Sequence, residues 1–479
     1  MAAVLGLVVA LAALFDVGDA VASRLDDPDL SGVTASVAIM DVGTGRWLHR
    51  ERADAPMIPA SNMKLLTTAT ALGILGPDHV FTTRFLATSE LDASGRLAGD
   101  LIVEGGADPC LRADLLEGDG ITDPAAALAD LLVAAGLTAV DGALVLDASI
   151  LDGQGVHPCW DVDDLEKSYA PPVAGLSVHG NRATIRVSGR DARPDARLGT
   201  ITRGYSVGNK LKRAAKASEF KVSLNRPSDD GRIAVGGRIG TGVGPVPLEV
   251  PVRDPVAWFG ACLTEQLARR GVDIEGGVVL RSGAAREVSG ARELARFETP
   301  LSLALLLTNK ESDNSLAEHL YKLVGAVGGA GGSFEGGGRV MERFLRQDLG
   351  VDTAGLVLED GSGLCDENRV SAAALAETLR EMAVAEGPAR DLFLRSLPIS
   401  GRDGSLHSRL GEEPYRGAIR AKTGYIGGAY ALSGFAVARS GRIVAFSLLL
   451  NHTGRKSAPR NATVKPALDD VCRILVDQL

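Results

Sequence analysis

Ser61-Asn62-Met63-Lys64 constrains this chain more than any other stretch, because it opens a run, Met63 through Leu72, that reads as a helix. Residues three apart share a helix face, so the spacing brings the Lys64 ammonium within reach of the Ser61 hydroxyl. A serine hydroxyl is a poor nucleophile until a neighbouring base takes its proton. A lysine can be that base once burial or nearby positive charge lowers its pKa. The pair points to acyl transfer through a serine ester, and that chemistry needs further groups from distant parts of the chain.

One such tetrad is weak on its own. Ser218 to Lys221 repeats it, inside Phe220-Lys221-Val222-Ser223-Leu224-Asn225, whose alternation suggests a strand edge. Only the first copy has companions in order. Ser312-Asp313-Asn314 and Lys422-Thr423-Gly424 complete the trio of Ser-x-x-Lys, Ser-Asp-Asn and Lys-Thr-Gly found in class A β-lactamases and penicillin-binding proteins. Ser223-Leu224-Asn225 and His452-Thr453-Gly454 mimic the second and third motifs, but Ser218 and Ser223 are too close together to form separate walls of a site.

The chain ends read as one domain. Val33 to Met40 alternates, Asp41-Val42-Gly43-Thr44-Gly45 is a turn, and Arg46 to His49 returns as the second strand of a hairpin. Ile419 to Thr423, Ala429 to Ala438 and Arg442 to Leu450 read as three more strands, and Pro466 to Leu479 as a closing helix. With helices near Ser61, around Leu301 to Leu323 and over Arg339 to Leu349, this predicts an α+β fold, an antiparallel sheet flanked by helices. The middle, from about Thr82 to Glu298, is rich in short strands and turns, with helices at Pro124 to Ala135 and Pro255 to Arg270. It reads as a long, mainly β insert. Gly240 to Pro245 misses the dinucleotide-binding spacing and reads as a turn. Gly325 to Gly338 reads as a linker between helices, with a mobile gate as the alternative.

Beyond the trio, Val103-Glu104-Gly105-Gly106-Ala107-Asp108-Pro109, Asp360-Gly361-Ser362-Gly363-Leu364 and Leu397-Pro398-Ile399-Ser400-Gly401-Arg402-Asp403-Gly404-Ser405-Leu406 add to a wider likeness. From about Asp27 onward the chain resembles the D-alanyl-D-alanine carboxypeptidase/endopeptidases, the type-4 low-molecular-mass penicillin-binding proteins. That resemblance implies a transpeptidase/β-lactamase-like domain over 23–81 and 299–479, with one or two mainly β domains over 82–298 inserted between the first two motifs. It also implies a penicillin-sensitive serine DD-peptidase that cleaves D-alanyl-D-alanine and cross-link bonds of peptidoglycan, with β-lactams as covalent inhibitors. The alternatives are a β-lactamase of the same superfamily, disfavoured by the long insert and by the lack of an obvious Glu-x-x-Leu-Asn motif after Ser312, and a non-catalytic wall-binding protein.

On this reading Ser61 is the nucleophile and Lys64 the leading base. Ser312 relays a proton to the leaving amine, and Asn314 binds the substrate amide or Lys64. Lys422 adds charge that lowers the Lys64 pKa, Thr423 holds a carboxylate, and Gly424 lets the strand edge approach the substrate. The resemblance gives the oxyanion hole to the amides of Ser61 and Tyr425. Tyr425 itself departs from the family's usual Ser or Thr, which leaves strict carboxypeptidase preference open and favours endopeptidase action. Asp366 stands where some relatives have an Arg that holds a substrate carboxylate. Asp164, ending Trp160-Asp161-Val162-Asp163-Asp164, is a candidate for the substrate's side-chain amine, with Tyr169 nearby; the alternative is a solvated acidic turn.

At 479 residues with 45% apolar and 23% charged residues, the chain suits two or three soluble domains. Aromatics are 4% of the total, so the core must be largely aliphatic. A net charge of −9 and no Lys/Arg run argue against a nucleic-acid partner. Five cysteines without a Cys-x-x-Cys pair argue against a zinc knuckle, and neither the lone grouping of His157, Cys159 and Asp161 nor the chemistry calls for a metal or other cofactor. Cys110 with Cys159 is one candidate disulfide. Ala2 through Leu14 is an apolar run too short to span a membrane. Ala20-Val21-Ala22 fits a cleavage site before Ser23, so residues 1–22 are expected to be a signal segment. The competing reading is a first helix packed on the body. Export to the periplasm or another extracytoplasmic space is expected, free or loosely associated with the membrane.

Overall fold

The computed structural model describes residues 17–199, 204–228, 230–281, 290–452 and 461–479. The apolar run Ala2–Leu14 lies outside the described residues. The chain divides into two units at His79/Val80 and at Pro300/Leu301.

The unit built from the chain ends holds a five-stranded antiparallel sheet. Its strands are β1 (Val33–Asp41), β2 (Trp47–Glu51), β3 (Ile419–Ile426), β4 (Ala429–Val437) and β5 (Ile443–His452), in the order β3-β4-β5-β1-β2. The β1–β2 turn is fixed by Asp41, whose carboxylate accepts the Thr44 amide at 2.7 Å and the Thr44 hydroxyl at 2.8 Å. Strand β4 is buried from Ala429 to Ala436, so both faces of the sheet are covered.

One face is covered by two helices. Residues 17–25 form α1, and Asn461–Gln478 form the last helix, α8. Val17, Val21 and Leu25 pack with Ala467, Val471 and Leu475 against Val37, Phe446 and Leu448. The cut expected before Ser23 falls inside α1. Val17 and Val21 are fully buried, so in this structure residues on both sides of that boundary pack on the sheet.

The other face carries α2 (Met63–Leu75), α3 (Leu301–Lys310), α4 (Asn314–Val327), α5 (Phe334–Gln347), α6 (Ala372–Val384) and α7 (Pro388–Ser396). Helix α2 is buried without interruption from Met63 to Leu72, as befits the helix at the centre of its layer. The helical run expected around Leu301 to Leu323 is broken at Glu311–Asp313, where the Ser-Asp-Asn motif begins. The glycine-rich stretch is a linker in part: residues 328–333 connect α4 to α5, whereas Gly336, Gly337 and Gly338 lie inside α5. A Cβ on Gly337 would stand 2.4 Å from the Tyr321 carbonyl oxygen, so the glycines let α5 close onto α4.

Val80–Pro300 is a separate mixed unit. Its main sheet runs Val278–Arg281, Leu144–Asp147, Leu101–Glu104, Val80–Ala87, Arg292–Pro300. Helices Pro124–Ala134 and Pro255–Arg269 pack on each other, each started by an aspartate N-cap and a first-turn proline. The remaining described parts are smaller sheets, and Gly240–Pro245 is a turn between strands Arg232–Ile239 and Val246–Pro251. The repeat tetrad at Ser218 runs into the exposed strand Phe220–Asn225. Cys110 is a buried thiol outside any disulfide, so the Cys110–Cys159 bridge does not form.

Candidate active site

Ser61 sits in a 3-10 turn, Ala60–Asn62, that leads directly into α2. The helix then carries Lys64 back beneath it, and the Lys64 Nζ lies 3.1 Å from Ser61 Oγ. Two further oxygens close on the same nitrogen, Asn314 Oδ1 and the Ser362 carbonyl, each at 2.7 Å. Both of these can only accept. They therefore commit two N–H bonds, and the third tetrahedral position faces the hydroxyl. In a neutral amine that position is the lone pair, and the Ser61 hydroxyl is the group that donates. Burial pushes the Lys64 pKa down to about 8, opposed by the nearby carboxyl groups of Glu318, Asp360 and Asp313.

Ser312 occupies the break between α3 and α4 with a φ of 61°. A non-glycine residue in this left-handed region costs about 1–2 kcal/mol. The conformation sets Ser312 Oγ 2.8 Å from Lys422 Nζ, which also donates to the Thr423 carbonyl at 2.9 Å. Asp313 then caps α4 by accepting the Leu316 amide at 3.0 Å. That start places Asn314 on the first turn of the helix, turned to Lys64.

Lys422 is fully buried on β3, and burial followed by repulsion from Lys64 pushes its pKa well below the usual lysine range. Burial is the largest cause of lowering at both Lys64 and Lys422, and each lysine's charge disfavours charge on the other.

Strand β3 passes hard against the Ser61 turn. A Cβ on Gly424 would lie 3.0 Å from the Ser61 nitrogen and 3.1 Å from the Pro59 oxygen. Asn62 ties the strand down by donating to the Lys422 carbonyl at 2.9 Å. The Thr423 hydroxyl donates to Ser405 Oγ at 2.9 Å. Lys310, at the end of α3, holds the loop that carries Ser405 by pairing with Asp403 at 2.7 Å.

An open cleft of about 280 Å³ is lined by Ser61, Ser312, Ser405, Thr423, Gly424, Tyr425 and Tyr430, with Arg409, Lys465 and Leu468 among the rest. Among the described residues no acidic side chain lines it. Arg409 is neutralised by Asp469 at 2.7 Å. Tyr425 is 54% exposed and leans on Tyr430, with ring centroids 4.9 Å apart. Asp164 lies in the other unit, on the short helical turn Val162–Glu166, where its carboxylate accepts the Tyr169 hydroxyl.

The structure thus brings Ser61, Lys64, Ser312, Asn314, Lys422, Thr423, Gly424 and Tyr425 to one cleft or its floor. Sequence reasoning gave no role to Asn62, Glu318, Asp360, Ser362 or Ser405. Glu318 carried a signal, because it stands four residues after Asn314 and so shares its helix face.

A model of the D-Ala-D-Ala carboxypeptidase 3 (S13) family matches residues 17–471. The chain is 33% identical over 445 residues to a D-alanyl-D-alanine carboxypeptidase of Actinomadura sp. strain R39, spanning 90% of this chain and 80% of that protein. It is 28% identical to carboxypeptidase DacB of Mycolicibacterium smegmatis, over 95% and 83% of the two chains. Among solved structures, penicillin-binding protein 4 (dacB) of Haemophilus influenzae superposes with a TM-score of 0.80 at 24% identity, covering 95% of this chain and 99% of the other.

Proposed function

The chain belongs to the D-Ala-D-Ala carboxypeptidase 3 (S13) family, and from that premise we propose that it is a penicillin-sensitive serine DD-peptidase acting on peptidoglycan through an acyl-enzyme at Ser61. The setting of the Lys64 amine carries this reading: two acceptor-only oxygens and one hydroxyl leave its lone pair on Ser61.

The steps follow from that geometry. Lys64 takes the Ser61 proton as Oγ bonds to the D-alanyl carbonyl carbon. The developing oxyanion meets the amides of Ser61 and Tyr425 at the head of α2, where the helix dipole favours negative charge. Ser312, hydrogen-bonded to Lys422, passes a proton to the leaving nitrogen, and the proton that Lys64 took replaces it, which returns Lys64 to the neutral amine. The C–N bond breaks, and either a terminal D-alanine or the amine of a neighbouring stem departs. Water then attacks the ester, its proton returns to Ser61 Oγ, and the shortened peptide leaves. A β-lactam opens by the same first step and stays as an ester.

Tyr425 supports a preference for cross-links over free termini. Its hydroxyl is carried away on a ring stacked against Tyr430, and the rim there is open. Digestion of cross-linked and linear muropeptides tests this, and release of terminal D-alanine alone would refute it. For location, we hold to export outside the cytoplasm, where such a substrate lies.

Intact mass after incubation with a β-lactam decides the core reading. One covalent adduct is expected on the wild type and none on Ser61→Ala; an unmodified wild type would sink it.

A further inference from the structure

Behind Lys64 lies a buried carboxyl that the acylation steps do not use. Glu318 stands one helical turn beyond Asn314 on α4 and has no exposed surface. Its two oxygens accept backbone N–H groups, Oε2 from Gly361 at 2.9 Å and Oε1 from Ser362 at 2.8 Å. Both donors belong to the segment Asp360–Leu364, whose Ser362 carbonyl accepts from Lys64 Nζ at 2.7 Å. Asp360 secures the same segment from within, accepting Gly363 N at 2.8 Å, Cys365 N at 2.7 Å and Asn368 Nδ2 at 2.8 Å. Ser362 is therefore gripped at its N–H by one carboxylate while its carbonyl is held against the lysine.

We propose that Glu318 is a positioning residue for the general base: by holding the Gly361 and Ser362 amides it fixes the Ser362 carbonyl on Lys64, and so aims the lysine's lone pair at Ser61. The inference rests on the reading of Lys64 as base. Without Glu318 the Ser362 carbonyl is held only from its C-terminal side, by Asp360, and the amine gains freedom to turn an N–H toward the serine, an orientation in which it cannot take the serine proton.

The ionisable groups around Lys64 are Glu318 on α4, Asp313 at its cap, Asp360 on the loop and Lys422 on β3. Burial and the neighbouring Asp360 push the Glu318 carboxyl up, against the pull of its two N–H donors and of Lys64. Its part in the site is carried by those two N–H contacts, which the carboxyl can accept in either protonation state.

Stopped-flow acylation by a β-lactam across pH, on wild type, Glu318→Gln and Glu318→Asp, tests this. Glu318→Gln retains one acceptor and puts an N–H where the other stood. Its limiting acylation rate should fall roughly ten- to hundredfold, the range for leaving a buried donor unsatisfied. The half-saturating β-lactam concentration should stay put. Glu318→Asp keeps the carboxyl but not the reach, so its limiting rate should fall as well. A Glu318→Gln protein that only melts earlier, with a wild-type limiting rate, overturns the proposal. Should that variant not fold, a wild-type limiting rate in Glu318→Asp overturns it equally. Failure of the wild type to acylate would instead remove the Ser61 reading beneath it.

Discussion

Three oxygens surround the Lys64 amine, and only the Ser61 hydroxyl can give it a proton. A base of this kind works only when neutral, so activity is lost on the acid side of its pKa. With burial setting that pKa at about 8, kcat/KM for acylation should fall tenfold per pH unit below about 8 and level off above it. A profile flat from pH 6 to 9 would exclude Lys64 as the base. Lys64→Arg keeps the charge but cannot be deprotonated, so its acylation rate should drop by about 10²–10⁴, with Ser61 still present to be labelled slowly. The motif residues were legible in the sequence because each lies in a short contiguous signature. Ser362 and Asn62 were not, because what they contribute is a backbone carbonyl and a tie between strand and turn, and neither has a local pattern.

At the scale of elements, the strands and the central helix followed from alternation and apolar runs, whereas the glycines divided. Residues 328–333 are the expected linker, but Gly336–Gly338 belong to α5, where a Cβ on Gly337 would meet the Tyr321 backbone of α4. Gly337→Val should therefore destabilise the protein by about 1–3 kcal/mol, the usual range for overpacking, read as a lowered midpoint in urea. A neutral result would mean that α5 can shift away from Tyr321. The first helix carries two readings. Ala20-Val21-Ala22 has the look of a cleavage site, and Val17 and Val21 pack on the core beside α8 and the sheet. N-terminal sequencing of the exported protein separates them: a start at Ser23 is the outcome expected of a signal segment, and a start at or before Val17 would mean that the packed helix is kept.

For the whole molecule, the arrangement of the chain ends matters most. His79 and Leu301 are joined by a hydrogen bond of 2.9 Å, and Val80 pairs with Pro300 where the insert begins and ends. Every residue lining the cleft lies in the unit built from the two ends. Replacing Val80–Pro300 by a short glycine linker should leave a protein that is still acylated at Ser61 by a β-lactam, measured by intact mass. Loss of acylation in a folded product would show that the insert takes part in the chemistry. Asp164→Ala, within the insert, should raise KM for a peptide bearing a side-chain amine and leave β-lactam acylation unchanged; equal effects on both would count against a selectivity role. By itself the sequence determined which residues make up the three motifs and the α+β class, since short motifs and periodicity are local properties of the chain. Tertiary structure alone decided which oxygens surround the Lys64 amine, that Lys64 and Lys422 are both buried, and that a buried glutamate holds the loop behind Lys64. Those depend on segments hundreds of positions apart meeting in a water-poor interior, where burial and a few ångströms set the proton's place.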